Sequence, residues 1–491
     1  MPRPWPALAL LLAFATAPLA FRHVRTLDGP LHVLHADHLA HRLAGDAPGG
    51  HGLLVDLTCT RPRATDLIAL PVLRLAGPFA AQRALVVVAV GLVLLAAWSA
   101  VRRMNPANPW AALLVLPVAT GQLLVHGFFG FLLGTACALL AWDRWCAWRE
   151  GHPRRWMAAL GFALAATWCH RSAPLLLGLL VTLSEGLRQR GPSGRRGWWA
   201  LGLGALLACA AMPVWQALQR APLEPARTVD PWAAVLGLHP LVLLDAEAER
   251  PLLLATAALL LALWAIALRS GTSAAHRDHI VLWGLAGLML AVALFVRTRM
   301  AGLLYLPDRA LWLALLLVSL GVALRLPARR IGFVLLVALC LVHTARLLLL
   351  ERRWAPYAAA QNDLEAVAKA LPPNSVVAVA HRGTDWLLHN AAADLCTLHD
   401  GLVLAGRGGH WYARGTPQAE RMRVLLAGRM CDGYWLRHMA RTPPERFVDA
   451  VLVLGPDTAA HDACARAWVP TIRMAMDTVL HRPNAVLHPW R

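Results

Sequence analysis

"ALVVVAVGLVLLAAWSAVRR", residues 84–103, carries no charge from Ala84 to Val101 and then closes on Arg102-Arg103. As a helix at about 1.5 Å per residue, that uncharged run nearly matches the roughly 30 Å hydrocarbon core of a bilayer. The paired arginines at one end mark the side that stays in the cytosol, because short basic flanks resist translocation. Comparable apolar runs lie on both sides of it, at 5–21, 110–125, 128–142, 157–169, 174–187, 197–215, 251–268, 280–296, 310–324 and 331–350. The whole chain agrees: 58% of its 491 residues are hydrophobic and 15% charged, and the mean hydropathy is +0.51. An ordinary soluble globule is excluded. The expected fold is an α-helical polytopic membrane protein with about eleven spans, several shorter than the usual ~20 residues.

Orientation follows from the short loops. With the amino terminus in the cytosol, the inner loops hold Arg102-Arg103, the stretch Arg144 to Arg155, "RQRGPSGRR" at 188–196, Arg269 to Arg277 and "RLPARR" at 325–330. All are rich in arginine, as the positive-inside rule requires. Segments 22–83, 218–250, 297–309 and the tail from about 351 then face outward. The first run also admits a second reading as a cleaved signal peptide, with small residues in "ATAPLA" at 15–20. Cleavage would leave the topology unchanged.

The net charge of +19 belongs to these loops. Its cations are spread between apolar runs and are not gathered with aromatics on a polar domain, which argues against nucleic acid as a partner. Cys137, Cys146, Cys169, Cys209 and Cys340 fall in or beside spans, where a thiol packs as a small apolar group. Cys59, Cys396, Cys431 and Cys464 fall outside, with three pairings open between them.

Composition changes near 351 and divides the chain into a membrane region, 1–350, and a soluble tail, 351–491. "SVVAVAH" at 375–381, "GLVLAG" at 401–406 and "FVDAVLVLG" at 447–455 read as short buried strands, with helical stretches at 357–371 and 417–430 between and around them. A small α/β extracytoplasmic domain is expected. "GRGGHW" at 406–411 has neither dinucleotide nor P-loop spacing and reads as a plain turn.

The outer loop 22–83 carries the first candidate chemistry. Asp28-Gly29-Pro30 is a helix start, with a carboxylate at the cap and proline in the first turn. The helix should run to Ala44 and stop before Gly45. It is too short and too polar to span, so it should lie along the outer surface. Capping alone would account for Asp28; a reactive carboxylate is the other reading. His32, His35, His38 and His41 step by three and wind around the helix, so they cannot all face one point. Neighbouring pairs, or Asp37 with His41, could share a metal. A divalent metal is thus admitted, with no ligand set fixed and no other cofactor indicated. Glu224, Asp230, Asp245, Glu247 and Glu249 read as solvated surface of a later outer loop.

The order of parts resembles the GT-C superfamily of polytopic glycosyltransferases, in particular the bacterial branch related to protein mannosyltransferases and aminoarabinose transferases. Asp28 stands at the acidic position, "HVLHADHLAHRL" at the interfacial helix, "LAGPFAAQR" at 75–83 at the turn and arginine before the second span, and "VRR" at 101–103 at its inner end. "HGFFGFLLGTACALLAW" at 126–142, "ATWCHRSAPLLLGLL" at 166–180 and "YLPDRALW" at 305–312 continue the likeness in order. The family often has a second acid beside the first and a lysine near "WCHRSAP"; this chain has Gly29 and His170-Arg171.

The resemblance implies an enzyme of the bacterial inner membrane that moves a sugar from a polyprenyl (pyro)phosphate carrier to a glycan, lipid or protein acceptor of the envelope. Such transfer needs a base for the acceptor hydroxyl and cations for the departing phosphate. Asp28 is the candidate base, with Asp37, Asp56 or Asp66 as a second acid. Arg297, Arg299 and Arg309, with His126 and His170 at outer span ends, are the candidate phosphate partners. The alternative is a non-catalytic protein that binds, transports or helps assemble lipid-linked glycan. Transporters tend to place ionisable groups in mid-membrane and to carry internal repeats. Here such groups read as confined to span ends, and no repeat is seen.

Overall fold

A computed structural model describes residues 5–21, 24–45, 64–188, 230–270, 278–295, 306–370, 376–381, 387, 390–399, 402–404 and 450–454. Five helices among them are long and apolar enough to cross a membrane: Pro78–Met104, Ala246–Arg269, Asp278–Phe295, Leu306–Ala323 and the first part, Arg330–Ala355, of a helix that continues to Ala370. The chain is an α-helical membrane protein. Shorter apolar helices occupy Trp5–Ala20, Arg155–Cys169 and Ala173–Arg188, and the expected run 197–215 lies outside the described residues. The separate helix expected from 357 is the continuation of the last span.

The run 110–125 is not one continuous helix. It forms a 3-10 turn, Pro109–Val115, and two short helices, Leu116–Ala119 and Gln122–Val125. Pro117 supplies no N–H to continue the ladder, and Gly121 is extended. The break is buried in protein, which is where irregular backbone is tolerated at membrane depth. The Val118 carbonyl exposed by it accepts from the Gly121 N–H at 3.2 Å and from the Trp312 indole at 2.8 Å.

The described residues fall into two compact units. The first comprises Met1–Ala20, Pro62–Ala64 and Val86–Leu350. Its long central helix, Phe129–Arg149, is buried along most of its length. A side chain at Gly134 would meet Cβ of Ala173 and of His170 at 3.0 Å each, so glycine is what lets the following segment come this close. Trp142 donates to Ser184 Oγ at 2.8 Å and ties the same helices further along.

The arginine-rich turns of this unit gather at one end. Arg102 stacks over Trp98 and Trp5, 5.1 and 5.8 Å from the ring centroids. Arg103 donates to Asp143 and to Glu150, both at 2.6 Å, and Ser99 Oγ donates to Asp143 at 2.7 Å. Asn105 donates to the Ala323 and Leu326 carbonyls, and Ser270 Oγ to the Arg325 carbonyl. The side chains of these loops cross-link the helix ends, with the buried Asp143 as one acceptor.

Two expectations about charge are corrected here. Glu249 is not solvated surface but 3% exposed. Its carboxylate accepts the Leu243, Leu244 and Asp245 N–H groups, while Asp245 caps the helix Ala246–Arg269 and Asp230 caps Pro231–Leu236. Nor are ionisable groups confined to span ends. His343 and Arg346 lie buried within the final span, and Arg346 donates to the Leu241 carbonyl, with Glu249 4.0 Å away. A buried guanidinium is tolerated where a carboxylate and a carbonyl replace its water.

The second unit comprises Phe21–Arg61, Thr65–Leu85 and Glu351–Arg491. Helix α1 of this unit, Gly29–Ala44, has the expected bounds, and Gly45 ends it at φ +83, a conformation that glycine adopts without penalty. Helix α2, Ala64–Ala76, follows. Arg25 donates to Asp394 and to the Leu387 carbonyl, and Gln82 donates to the other Asp394 oxygen at 2.7 Å. These bonds join the segment that follows the first apolar helix to the tail. Three short strands, β1 Val376–His381, β2 Leu402–Leu404 and β3 Ala450–Leu454, form a parallel sheet in the order β2-β1-β3. Val376 pairs with Leu402 and Val377 with Ala450. The helix Ala391–His399 lies between β1 and β2 in sequence, as a parallel crossover needs. The remainder of the tail, including 417–430 and "GRGGHW", lies outside the described residues, as do Cys59, Cys209, Cys431 and Cys464.

Candidate functional site

In the second unit, the chain enters α1 through Asp28. The Asp28 carbonyl accepts the His32 N–H at 3.2 Å, and Thr26 Oγ accepts the Gly29 N–H at 3.1 Å. The Asp28 carboxylate is half-buried and accepts from the Asn390 side-chain amide at 3.0 Å. The same amide nitrogen donates to the Leu27 carbonyl at 2.9 Å. A neutral amide orients a carboxylate without competing for a proton, which suits a group whose task is to accept one.

The four histidines of α1 divide among three environments. His32 and His35, one helical turn apart, present their rings edge to face with centroids 6.4 Å apart. Asp66, from the first turn of α2 and 4% exposed, joins them: one donor atom from each of the three lies within 4.8 Å of the others. His38 is buried, and desolvation, aided by the neighbouring His41, lowers its pKa to about 4. His41 lies 3.7 Å from Asp37. The three candidate acids thus have different partners: Asn390 for Asp28, His41 for Asp37 and two imidazoles for Asp66. Asp56 lies outside the described residues.

In the first unit, three of the five candidate phosphate partners come together. Arg309 Nη1 lies 3.1 Å from His170 Nε2. The guanidinium can only donate in this contact; on the other side of the ring, Nδ1 lies 2.7 Å from Ser172 Oγ and 3.2 Å from the Ser172 backbone nitrogen. The Arg309 cation also stands 4.4 Å above the Phe128 ring and 5.5 Å from Phe131. Phe131 meets His170 edge-on at 5.4 Å, and His126 packs 5.6 Å from Phe128 while its Nδ1 bonds the Gln122 carbonyl at 2.8 Å. An imidazole and two aromatic faces hold the guanidinium plane in place, an arrangement compatible with anion binding. Arg297 and Arg299 lie outside the described residues.

Several members of these groups escaped the sequence reading. Phe128 and Phe131 stand three apart in "HGFFGF", a spacing that could have been read as an aromatic support for a cation. Nothing local marks Asn390, and nothing local pairs Asp66 with His32 and His35. Comparison with protein-family models, with curated proteins and with solved structures finds no match to this chain.

Proposed function

We propose that this chain is an inverting glycosyltransferase that moves a sugar from a polyprenyl (pyro)phosphate carrier to a cell-envelope acceptor at the outer face of the bacterial inner membrane. In this reading the amino terminus is cytosolic, the spans number about eleven, and 351–491 is a small α/β extracytoplasmic domain. Asp28 takes the proton of the acceptor hydroxyl, the acceptor oxygen attacks the anomeric carbon, and the bond from that carbon to the phosphate oxygen breaks. The carrier leaves as an anion, and Arg309 compensates its charge.

The observation that carries the proposal is the Arg309 group. Its guanidinium is oriented by His170 and by Phe128 and Phe131, in the "YLPDRALW" motif where the resemblance expects an anion-binding arginine. The order of motifs along residues 1–350 supports the same reading.

The test is genetic and chemical. A strain lacking the gene should lose one envelope sugar, wild type should restore it, and Asp28→Asn should not, although the variant inserts normally. General-base catalysis contributes about 10²–10⁴-fold, so the residual transfer should fall in that range. Full restoration by Asp28→Asn would instead favour the non-catalytic reading, a protein that binds or moves lipid-linked glycan.

A further inference from the structure

We propose that His32, His35 and Asp66 form a zinc-binding site joining the two helices of the first outer loop. The inference does not depend on the glycosyltransferase reading.

Spacing and burial bring the donors together. Residues three apart on a helix lie on one face, and here that face turns His32 and His35 toward Asp66. Two half-buried imidazoles meet a carboxylate that is itself almost fully buried. Among the described residues this is the one convergence of three donors from histidine, cysteine, aspartate or glutamate. The Asp37 and His41 pair offers two donors on the same helix, and His38 is buried.

The donor set selects the ion. Magnesium and calcium require oxygen ligands, whereas two imidazole nitrogens and one carboxylate oxygen suit zinc, with a fourth position for water. Zinc bonds of about 2.0–2.2 Å place tetrahedral ligand atoms roughly 3.3 Å apart. The donors here lie within 4.8 Å, so closing on the ion takes side-chain rotation of about 1.5 Å, within the reach of two imidazoles that turn about χ1 and χ2. Positions 35 and 66 are remote in sequence, and an ion bridging them would fix α1 against α2 as a cross-link does.

The competing account is that the imidazoles simply hydrogen-bond the Asp66 carboxylate. Zinc uptake separates the two. Full-length protein in detergent, free of any polyhistidine tag and stripped with a chelator, is titrated with Zn²⁺ in a metal-buffered solution. One zinc per chain is expected, unaffected by millimolar Mg²⁺, together with slower hydrogen exchange across 29–44 when the ion is present. Loss of a supporting group around a metal weakens it about 10–100-fold, so His35→Gln and Asp66→Asn, which remove ligands, should each weaken zinc at least that much. His41→Ala should keep both stoichiometry and affinity. Wild-type protein that takes up no zinc overturns the proposal whatever the variants do. So does uptake that His35→Gln and Asp66→Asn leave unchanged, or a loss that His41→Ala shares equally.

Discussion

Asp394→Ala should loosen the second unit at the junction of the segment 21–85 and the tail. Arg25 is 1% exposed, and the Asp394 side chain is fully buried. Removing the carboxylate strands a guanidinium with no counter-charge and deprives Gln82 of its acceptor. Breaking one side of a buried ion pair in this way costs about 3–5 kcal/mol. Burial pushes the Asp394 carboxyl up even though Arg25 and Gln82 pull it back, so desolvation is already the largest influence on this group. It follows that replacing both charged partners by apolar residues, as in Arg25→Met with Asp394→Leu, should recover the part of the loss that comes from the stranded charge, while Gln82 still lacks its acceptor. The assay is hydrogen exchange of the segments 24–44 and 390–399 in detergent. A loss of about 3 kcal/mol accelerates exchange through local opening roughly 150-fold, and the double variant should recover part of it. Exchange in Asp394→Ala within threefold of wild type would refute the reasoning, and so would a double variant as fast as the single one.

Three further outcomes are expected, the last two under the proposed transferase activity. His38 has its pKa lowered from the ordinary 6.5 to about 4, so between these values the unfolded chain binds more protons than the folded one. Stability should therefore fall by about 3 kcal/mol as pH drops from 6.5 toward 4, and His38→Leu should flatten that slope in thermal unfolding. Arg309→Lys keeps the charge but loses the planar fork that bonds His170 and stacks on Phe128. Transfer by this variant should need at least tenfold more carrier for the same rate, or about 1.4 kcal/mol of lost carrier binding, whereas an unchanged requirement would remove Arg309 from the phosphate. Asn390→Ala takes away the amide that orients Asp28, and transfer should fall about tenfold or more, since misplacing a reacting group slightly is expensive. Its readout is the rate of single turnover with carrier bound, and an unaltered rate would remove Asn390 from the positioning of the base.

Much of the fold could be read locally because its causes are local. The run from Ala84 to Val101 is uncharged throughout and lies within the candidate span Pro78–Met104. Asp28-Gly29-Pro30 and Gly45 bracket α1, whose bounds are those the local residues suggest. The three apolar stretches of the tail emerge as paired strands. Where the reading went wrong, hydrophobicity was counted while the backbone's bonding was not. The run 110–125 is apolar enough to span, yet Pro117 and Gly121 break it, and Trp312, almost two hundred residues on, supplies the bond that makes the break tolerable. Glu249 looked like one more acid in a charged loop. Its role depends on three N–H groups folding back over it and on Arg346 arriving from the last span.

The candidate sites show the same division. Helical periodicity already implied that the histidines of α1 could not share one point, and they do not. It could not supply Asp66, because the pairing depends on how α2 packs against α1. The tail contributes in a way no motif announces. The turn at Asn390 and the helix Ala391–His399 hold Asp28 through one side chain and Arg25 through another, four residues later. One turn of helix thus sets both where the acid sits and how the chain leading to it is anchored. The placement of Asp28 is therefore not a property of its own segment alone: the tail acts on its orientation directly, and a change near 390 would reach the candidate base without touching any residue that the motifs bring into view.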